Sequence, residues 1–277
     1  MKKGISLHIG LNEVDVGYYK NRYFLSACKQ DTLDMEEIAS SQNFELSTVL
    51  LDEEATSEAI INAIKEASTQ LIDGDILFIS YSGHGAYVPD NNNDDSDKQD
   101  EVWCVYDRFL FDDELHYLWT LFEEGVRIFI VSDSCHSGTI TKEMRFGKEP
   151  IVTKSLDDYV AKNIYLNDEQ FYINKKKELP PVKDEDLKAT VKLISGCKDS
   201  EKSLILGGDE NSLLTKVLKE VWDAGYFVGT TQEFFEQIQE KVVEEAKKED
   251  KKQTPQLYTI GKKNEAFETQ KPFSVFE

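Results

Sequence analysis

An α/β fold, with a mostly parallel sheet of about six strands and helices on both faces, is the architecture predicted by this 277-residue sequence. Three observations predict it. Short β-branched runs alternate with helical patterns along the whole chain, the runs are bounded by Gly, Asp, Pro or another turn former, and the segments between them repeat apolar residues every three or four positions. In chain order, Ile5–Leu11 reads as a strand, Thr32–Ser41 as a helix, Glu45–Leu51 as a strand and Ser57–Leu71 as a helix. Asp75–Ser80 and Arg127–Ser132 are buried-type strands on either side of the helical pattern Asp113–Glu124. Thr190–Ser195 is the fifth strand, Leu213–Ala224 and Thr231–Lys248 are helices, and Gln256–Ile260 is the sixth strand. In such sheets functional groups gather at the carboxyl ends of the strands.

Apolar residues make up 40% and charged residues 31% of the chain, a folding composition. The formal charge is −21 and the isoelectric point about 4.6. Such a surface repels nucleic-acid phosphates and anionic lipid headgroups and attracts cationic peptides. The apolar runs are too short to span a bilayer, and Met1-Lys2-Lys3 leads into a strand rather than a signal segment, so a cytoplasmic protein is expected. Cys28, Cys104, Cys135 and Cys197 are widely spaced, which disfavours a zinc site or disulfide framework and favours single buried or reactive thiols.

Two stretches break the alternation. Asp90–Glu101 is acidic and Asn-rich, and Thr139–Asp186 has little periodicity but many lysines. The pattern after the second supplies too few elements for an independent core. One domain over 1–277 is therefore expected, with a larger half (1–138), a mobile insertion (139–186) and a smaller half (187–277).

Two strand ends carry reactive side chains. One strand runs into Ser82-Gly83-His84-Gly85, the other into Asp133-Ser134-Cys135-His136-Ser137-Gly138. A thiol is nucleophilic only as thiolate, and an imidazole within reach can take its proton. The histidine precedes the cysteine by about 50 residues, the caspase spacing. The Gly85 and Cys135 N–H groups are candidates for an oxyanion hole. Taken singly, Cys135 reads as a core thiol and His84 as a loop histidine; the pair favours catalysis. His136, as the immediate neighbour of Cys135, is expected to project away from the thiol and to have a local structural role. A third group behind His84 is not legible, since a backbone carbonyl leaves no sequence trace.

With Tyr81-Ser82-Gly83-His84-Gly85 and Asp133-Ser134-Cys135-His136-Ser137-Gly138, and more weakly Ala27-Cys28-Lys29-Gln30-Asp31 with Met35 and Ser195-Gly196-Cys197-Lys198-Asp199, the sequence resembles the metacaspases and their prokaryotic relatives. The resemblance implies a caspase-like fold and a Cys–His dyad in which Cys135 attacks the peptide carbonyl and His84 protonates the leaving amine. It also implies an acidic pocket for Arg or Lys before the scissile bond. Carried over by motif, Asp31 and Asp133 form the base of that pocket, Cys28 and Ser82 line it, and Asp199 is a further candidate. Two carboxylates in a desolvated slot hold a cation through charge-assisted bonds. Read alone, Asp31 is an ordinary acid at a helix N-terminus.

Family likeness further points to calcium at Asp97 or Asp100 with Asp112 and Asp113, although Lys142 stands where another acidic ligand is expected. The acidic stretch is not an EF-hand, because Asp95 replaces the required glycine; a solvated charge run is the alternative. If the pocket takes basic residues, then Lys142, Arg145, Lys148, Lys154, Lys162, Lys175, Lys176 and Lys177, expected on an exposed loop, are candidate sites of self-processing. The chemistry requires no organic or redox cofactor, the partner is a polypeptide with a basic residue before the cut, and a monomer is expected. The competing readings are a non-proteolytic interaction module on the same fold and a cysteine hydrolase of a non-peptide ester or amide.

Overall fold

The computed structural model describes residues 2–89, 99–135, 143–145, 148–198 and 200–275. Its strands in chain order are β1 (Gly4–Gly10), β2 (Leu46–Leu51), β3 (Ile76–Ser82), β4 (Gly85–Pro89), β5 (Gln99–Cys104), β6 (Phe109–Phe111), β7 (Arg127–Asp133), β8 (Glu143–Arg145), β9 (Lys148–Thr153), β10 (Thr190–Ser195), β11 (Leu204–Ile205) and β12 (Gln256–Gly261). The helices are α1 (Val16–Tyr19), α2 (Cys28–Ser41), α3 (Ser57–Gln70), α4 (Asp112–Trp119), α5 (Asp158–Asn167), α6 (Glu169–Glu178), α7 (Leu213–Trp222), α8 (Thr231–Lys248) and α9 (Glu265–Thr269).

The six strands read from the sequence form one sheet, in the order β12-β10-β7-β3-β1-β2. All pairings are parallel except β10 with β12. The period of two along β3 explains why both faces are covered. Leu77 and Ile79 join Leu7, Ile128 and Ile130 in the core under α3 and α4. Ile76 and Phe78 join Phe129, Val131 and Ile194 in the core under α2, α7 and α8. Fully burying side chains of this size contributes about 1.5–3 kcal/mol each. Helix starts are fixed locally: Thr56 caps α3 by accepting from the Ala59 N–H, and Thr230 with Glu233 makes a reciprocal cap on α8.

Two small sheets lie outside these expectations. The chain after His84 forms the antiparallel sheet β4-β5-β6, and β8, β9 and β11 form another. The stretch expected as a mobile insertion also carries α5 and α6. Tyr165 and Tyr172 from these helices are buried against Phe111, which anchors them to the body of the fold. The parallel register places the ends of β1, β3, β7 and β10 side by side, with Gly10 opposite Ser82, Ser82 opposite Asp133, and Ser132 opposite Ser195. The candidate site lies along this edge.

Candidate active site

Asp31 reaches this edge because α2 packs tightly on β1. A Cβ at Gly10 would lie 2.1 Å from Thr32 Oγ1 and 2.8 Å from the Cys28 carbonyl, so only glycine allows the helix so close. Asn12 Oδ1 accepts from the Lys29 N–H at 3.0 Å, meeting one of the open donors of the first helical turn. Asp31 then lies beside Ser82, which ends β3, and Asp133, which ends β7.

The slot between them is filled by Lys154, which directly follows β9. Its Nζ donates to Asp31 Oδ2 at 2.8 Å, Ser82 Oγ at 2.7 Å and Asp133 Oδ2 at 2.9 Å, and the side chain is fully buried. Burial pushes the Asp31 carboxyl up, but the Lys154 ammonium and hydrogen bonds from Ser82 and Ser212 outweigh it and hold the group below the usual carboxylate range. Burial alone would lower Lys154; Asp133 and Asp31 reverse that and hold its ammonium above the usual lysine range. Cys28 is fully buried beside the slot, and desolvation pushes its thiol up to about 12.

The sequence reading missed the outer support of this slot. Asn211 Nδ2 and the Ser212 N–H donate to Asp31 Oδ1 at 3.1 and 3.0 Å, while the Ser203 and Ser212 hydroxyls donate to Asp133. Ser212 precedes the apolar start of α7 and so reads as an N-cap, yet its hydroxyl makes no cap bond and serves Asp133 instead. The only sequence signal was a serine in a capping position.

The Lys154 backbone is held as closely as its side chain. Its carbonyl oxygen accepts from the Gly85 N–H at 3.0 Å and the Cys135 N–H at 3.2 Å. These are the two N–H groups singled out from the sequence. The Lys154 N–H donates to the Ser203 carbonyl at 3.0 Å, and Thr153 and Val152 pair with Leu204 and Ile205. Beyond Lys154, Ser155 bridges to Gly85 and the Leu156 N–H donates to the Gly85 carbonyl at 2.9 Å. The segment lies in the cleft as an added strand, with the Lys154–Ser155 peptide bond between the turns that carry His84 and Cys135.

His84 is pinned from behind. Its Nε2 donates to the Tyr23 carbonyl at 2.7 Å, which fixes the proton on Nε2 and leaves the lone pair on Nδ1. Nδ1 is buried with no hydrogen-bond partner among the described residues. Tyr23 holds its carbonyl there from φ 43, a left-handed conformation costly for a bulky side chain. Burial lowers His84 to about 4, opposed by the Tyr23 carbonyl, lowered further by the Lys154 ammonium and raised by the Ser155 backbone. The ring is therefore neutral at pH 7. The preceding turn is fixed by the Tyr81 hydroxyl, which donates to the His84 carbonyl at 2.7 Å, and a Cβ at Gly83 would lie 2.6 Å from that hydroxyl. Cys135 is fully buried, and its thiol donates to the Glu201 carbonyl at 2.7 Å.

These groups make the fold acid-sensitive. His84 is lowered to about 4 and His8 to about 3, so between those values and 6.5 the unfolded chain binds more protons than the native one. Stability rises with pH across that window. Asp31, held low, acts in the same direction, because its contribution is lost as pH falls. The thermal midpoint should drop steadily from pH 6.5 to pH 4 and be flat above pH 7. A His8→Asn variant should lose part of that slope; an unchanged midpoint down to pH 4 would refute the assignment.

The other sequence candidates are scattered. Asp97, Asp199, His136 and Lys142 lie outside the described residues. Arg145 and Lys148 lie on β8 and β9, Lys162 is exposed on α5, and Lys175 to Lys177 lie on α6. Two basic candidates are not exposed as expected: Lys154 is buried in the slot, and the Lys176 side chain is only 6% exposed. Lys176 bonds to Asp100 and lies 3.4 Å from Asp113, across which α6 packs. An ammonium therefore stands between the carboxylates expected to hold calcium, and Asp112 is exposed beside them. No cluster of three metal-ligating side chains occurs among the described residues. Among the described residues, the place between Asp100 and Asp113 is taken by Lys176.

Similarity to known proteins agrees with this geometry. A model of the metacaspase peptidase C14 domain matches residues 6–143, from β1 through the segments that carry His84 and Cys135. The chain belongs to this family. Like other metacaspases it carries a cysteine-type peptidase domain. It is 34% identical to metacaspase-9 of Arabidopsis thaliana over 173 residues, covering 58% of this chain and 50% of that protein. It is 34% identical to metacaspase-1 of Plasmodium falciparum over 145 residues, covering 46% of this chain and 23% of that one. The chain thus spans half or less of the length of these metacaspases. The crystal structure of protein GSU0716 from Geobacter sulfurreducens superposes with TM-score 0.85 at 38% identity, covering 99% of this chain and all of that one. Caspase-1 of Spodoptera frugiperda superposes with TM-score 0.58 at 12% identity, covering 95% of this chain and 93% of that one, a likeness of fold alone. No helix among the described residues is long and apolar enough to cross a membrane.

Proposed function

We propose that this metacaspase-family chain is an endopeptidase that cleaves after lysine or arginine, and that the Lys154–Ser155 bond is its first substrate. The observation that carries the proposal is the seating of Lys154, with its ammonium between Asp31 and Asp133 and its carbonyl oxygen shared by the Gly85 and Cys135 N–H groups. Cys135 attacks the Lys154 carbonyl carbon as its proton passes to His84. Charge develops on an oxygen that already faces two N–H donors, so stabilising it needs little reorganisation. The proton on His84 then moves to the Ser155 amine, which leaves as the C–N bond breaks. Water, deprotonated by His84, hydrolyses the thioester and returns the dyad to its neutral state.

The test is a panel of peptide substrates that differ only in having Arg, Lys, Asp or Leu before the scissile bond, assayed with calcium and with a chelator. Turnover is expected with Arg and Lys alone. Because Lys176 supplies the cation between Asp100 and Asp113, chelation should leave the rate unchanged. Turnover of the Asp peptide alone would overturn the pocket assignment. Failure on every peptide, with partner binding that survives Cys135→Ala, would favour an interaction module; turnover only of non-peptide esters or amides would favour the other hydrolase reading.

A further inference from the structure

Cys197 has no part in the chemistry above, yet it lies against the nucleophile. Strand β10 runs parallel to β7 with Ser195 opposite Ser132, and the Gly196 N–H donates to the Ser132 carbonyl at 2.9 Å. The chains leaving these neighbouring strands carry Cys197 and Cys135 to the same point. Both sulfurs lie within hydrogen-bond distance of one oxygen, the Glu201 carbonyl, at 3.4 Å from Cys197 and 2.7 Å from Cys135. Both cysteines lie two residues beyond the ends of adjacent paired strands, and their side chains are in contact. The Cys197 thiol is held well above its ordinary value, first by its hydrogen bond to Cys135 and then by burial. Cys197 therefore keeps its proton more firmly than a free thiol.

Cys197 and Ser134, the residue before Cys135, border open space away from the filled slot. This space is a cleft of about 480 Å³ on the side of Trp103, Trp119 and Tyr258. A molecule the size of hydrogen peroxide fits it easily. Neither Cys28 nor Cys104 lines this cleft, and desolvation pushes both thiols up.

We propose that Cys135 and Cys197 form a reversible disulfide under peroxide, a modification site that stores the enzyme in an inactive, protected state. The Cys135 thiolate attacks one oxygen of hydrogen peroxide, the O–O bond breaks, and hydroxide leaves to take up the proton that Cys135 had lost. The Cys197 sulfur then attacks the sulfenic acid. The S–O bond breaks and the oxygen departs as water with the Cys197 proton. Two thiols are oxidised and one peroxide is reduced to two waters. A dithiol reductant reverses the bridge, whereas further oxidation of an unbridged Cys135 to sulfinic acid is irreversible.

The loss of activity rests on the peptidase reading; the bridge does not. The intact protein is treated with hydrogen peroxide, mapped as peptides without reduction, and assayed before and after dithiothreitol. Wild type should yield a Cys135–Cys197 linked peptide lighter by two hydrogens, with turnover lost and then restored by dithiothreitol. Cys197→Ser, measured against its own untreated sample, should lose turnover that dithiothreitol does not restore and should accumulate sulfinic acid at Cys135. Absence of the linked peptide from oxidised wild type, a bridge through Cys28 or Cys104, or full recovery of Cys197→Ser would overturn the proposal. If the linked peptide forms and no peptide substrate is ever turned over, the bridge stands and the peptidase reading falls.

Discussion

Wild-type protein held at neutral pH is expected to part into residues 1–154 and 155–277, while Cys135→Ala stays a single 31.7 kDa chain. The reason is geometric. Proximity and orientation account for much of the barrier to an acyl transfer, and the Lys154–Ser155 bond is already held with its oxygen on two donors. Lys154→Arg should still be cut there, because a guanidinium meets two carboxylates at least as well as an ammonium. Lys154→Gln should block the cut. Intact-mass measurement decides it. Cleavage at Lys162 or Lys177 with Lys154 untouched would show that exposure, not seating, selects the bond.

The second large effect concerns the slot itself. In the Cys135→Ala background, which keeps the chain whole, Asp31→Asn leaves a buried ammonium with one carboxylate and should cost about 3–5 kcal/mol of unfolding free energy. Lys154→Met alone leaves Asp31 and Asp133 facing one another without a cation and should also destabilise. The double variant Asp31→Asn/Lys154→Met should lose much less than the two single losses combined, as expected for residues in one network. In the processed enzyme the same Asp31→Asn change should lower kcat/KM for lysine peptides about a hundredfold, the scale of breaking a buried, hydrogen-bonded charge pair. Additive losses in urea denaturation would mean that the three groups do not act together.

The central sheet was legible because its strands carry buried-type apolar runs and its helices a one-sided stripe; Leu77/Ile79 against Ile76/Phe78 is that pattern in space. The small sheets and α6 were not. Strands as short as Phe109–Phe111 give no periodicity, and α6 is polar on most sides, with only Tyr172 buried. At the site, Asp31, Ser82, Asp133, Gly85, His84 and Cys135 could all be named from motifs, whereas the choice of Lys154 among eight basic candidates could not. That choice depends on the pairing of Thr153 with Leu204, which sets which residue reaches the slot. The Tyr23 carbonyl behind His84 had no sequence signal, because any residue supplies one.

The ribbon that delivers Lys154 is fastened to β11 through only two paired residues. If that bond is cut as proposed, the new chain end would start out in the groove, competing with every incoming peptide as a tethered product. The pace at which a freshly made molecule becomes available to other proteins is then governed by the peeling of that ribbon, and sequence changes at Val152 or Ile205, remote from the reacting atoms, become a means of setting the delay.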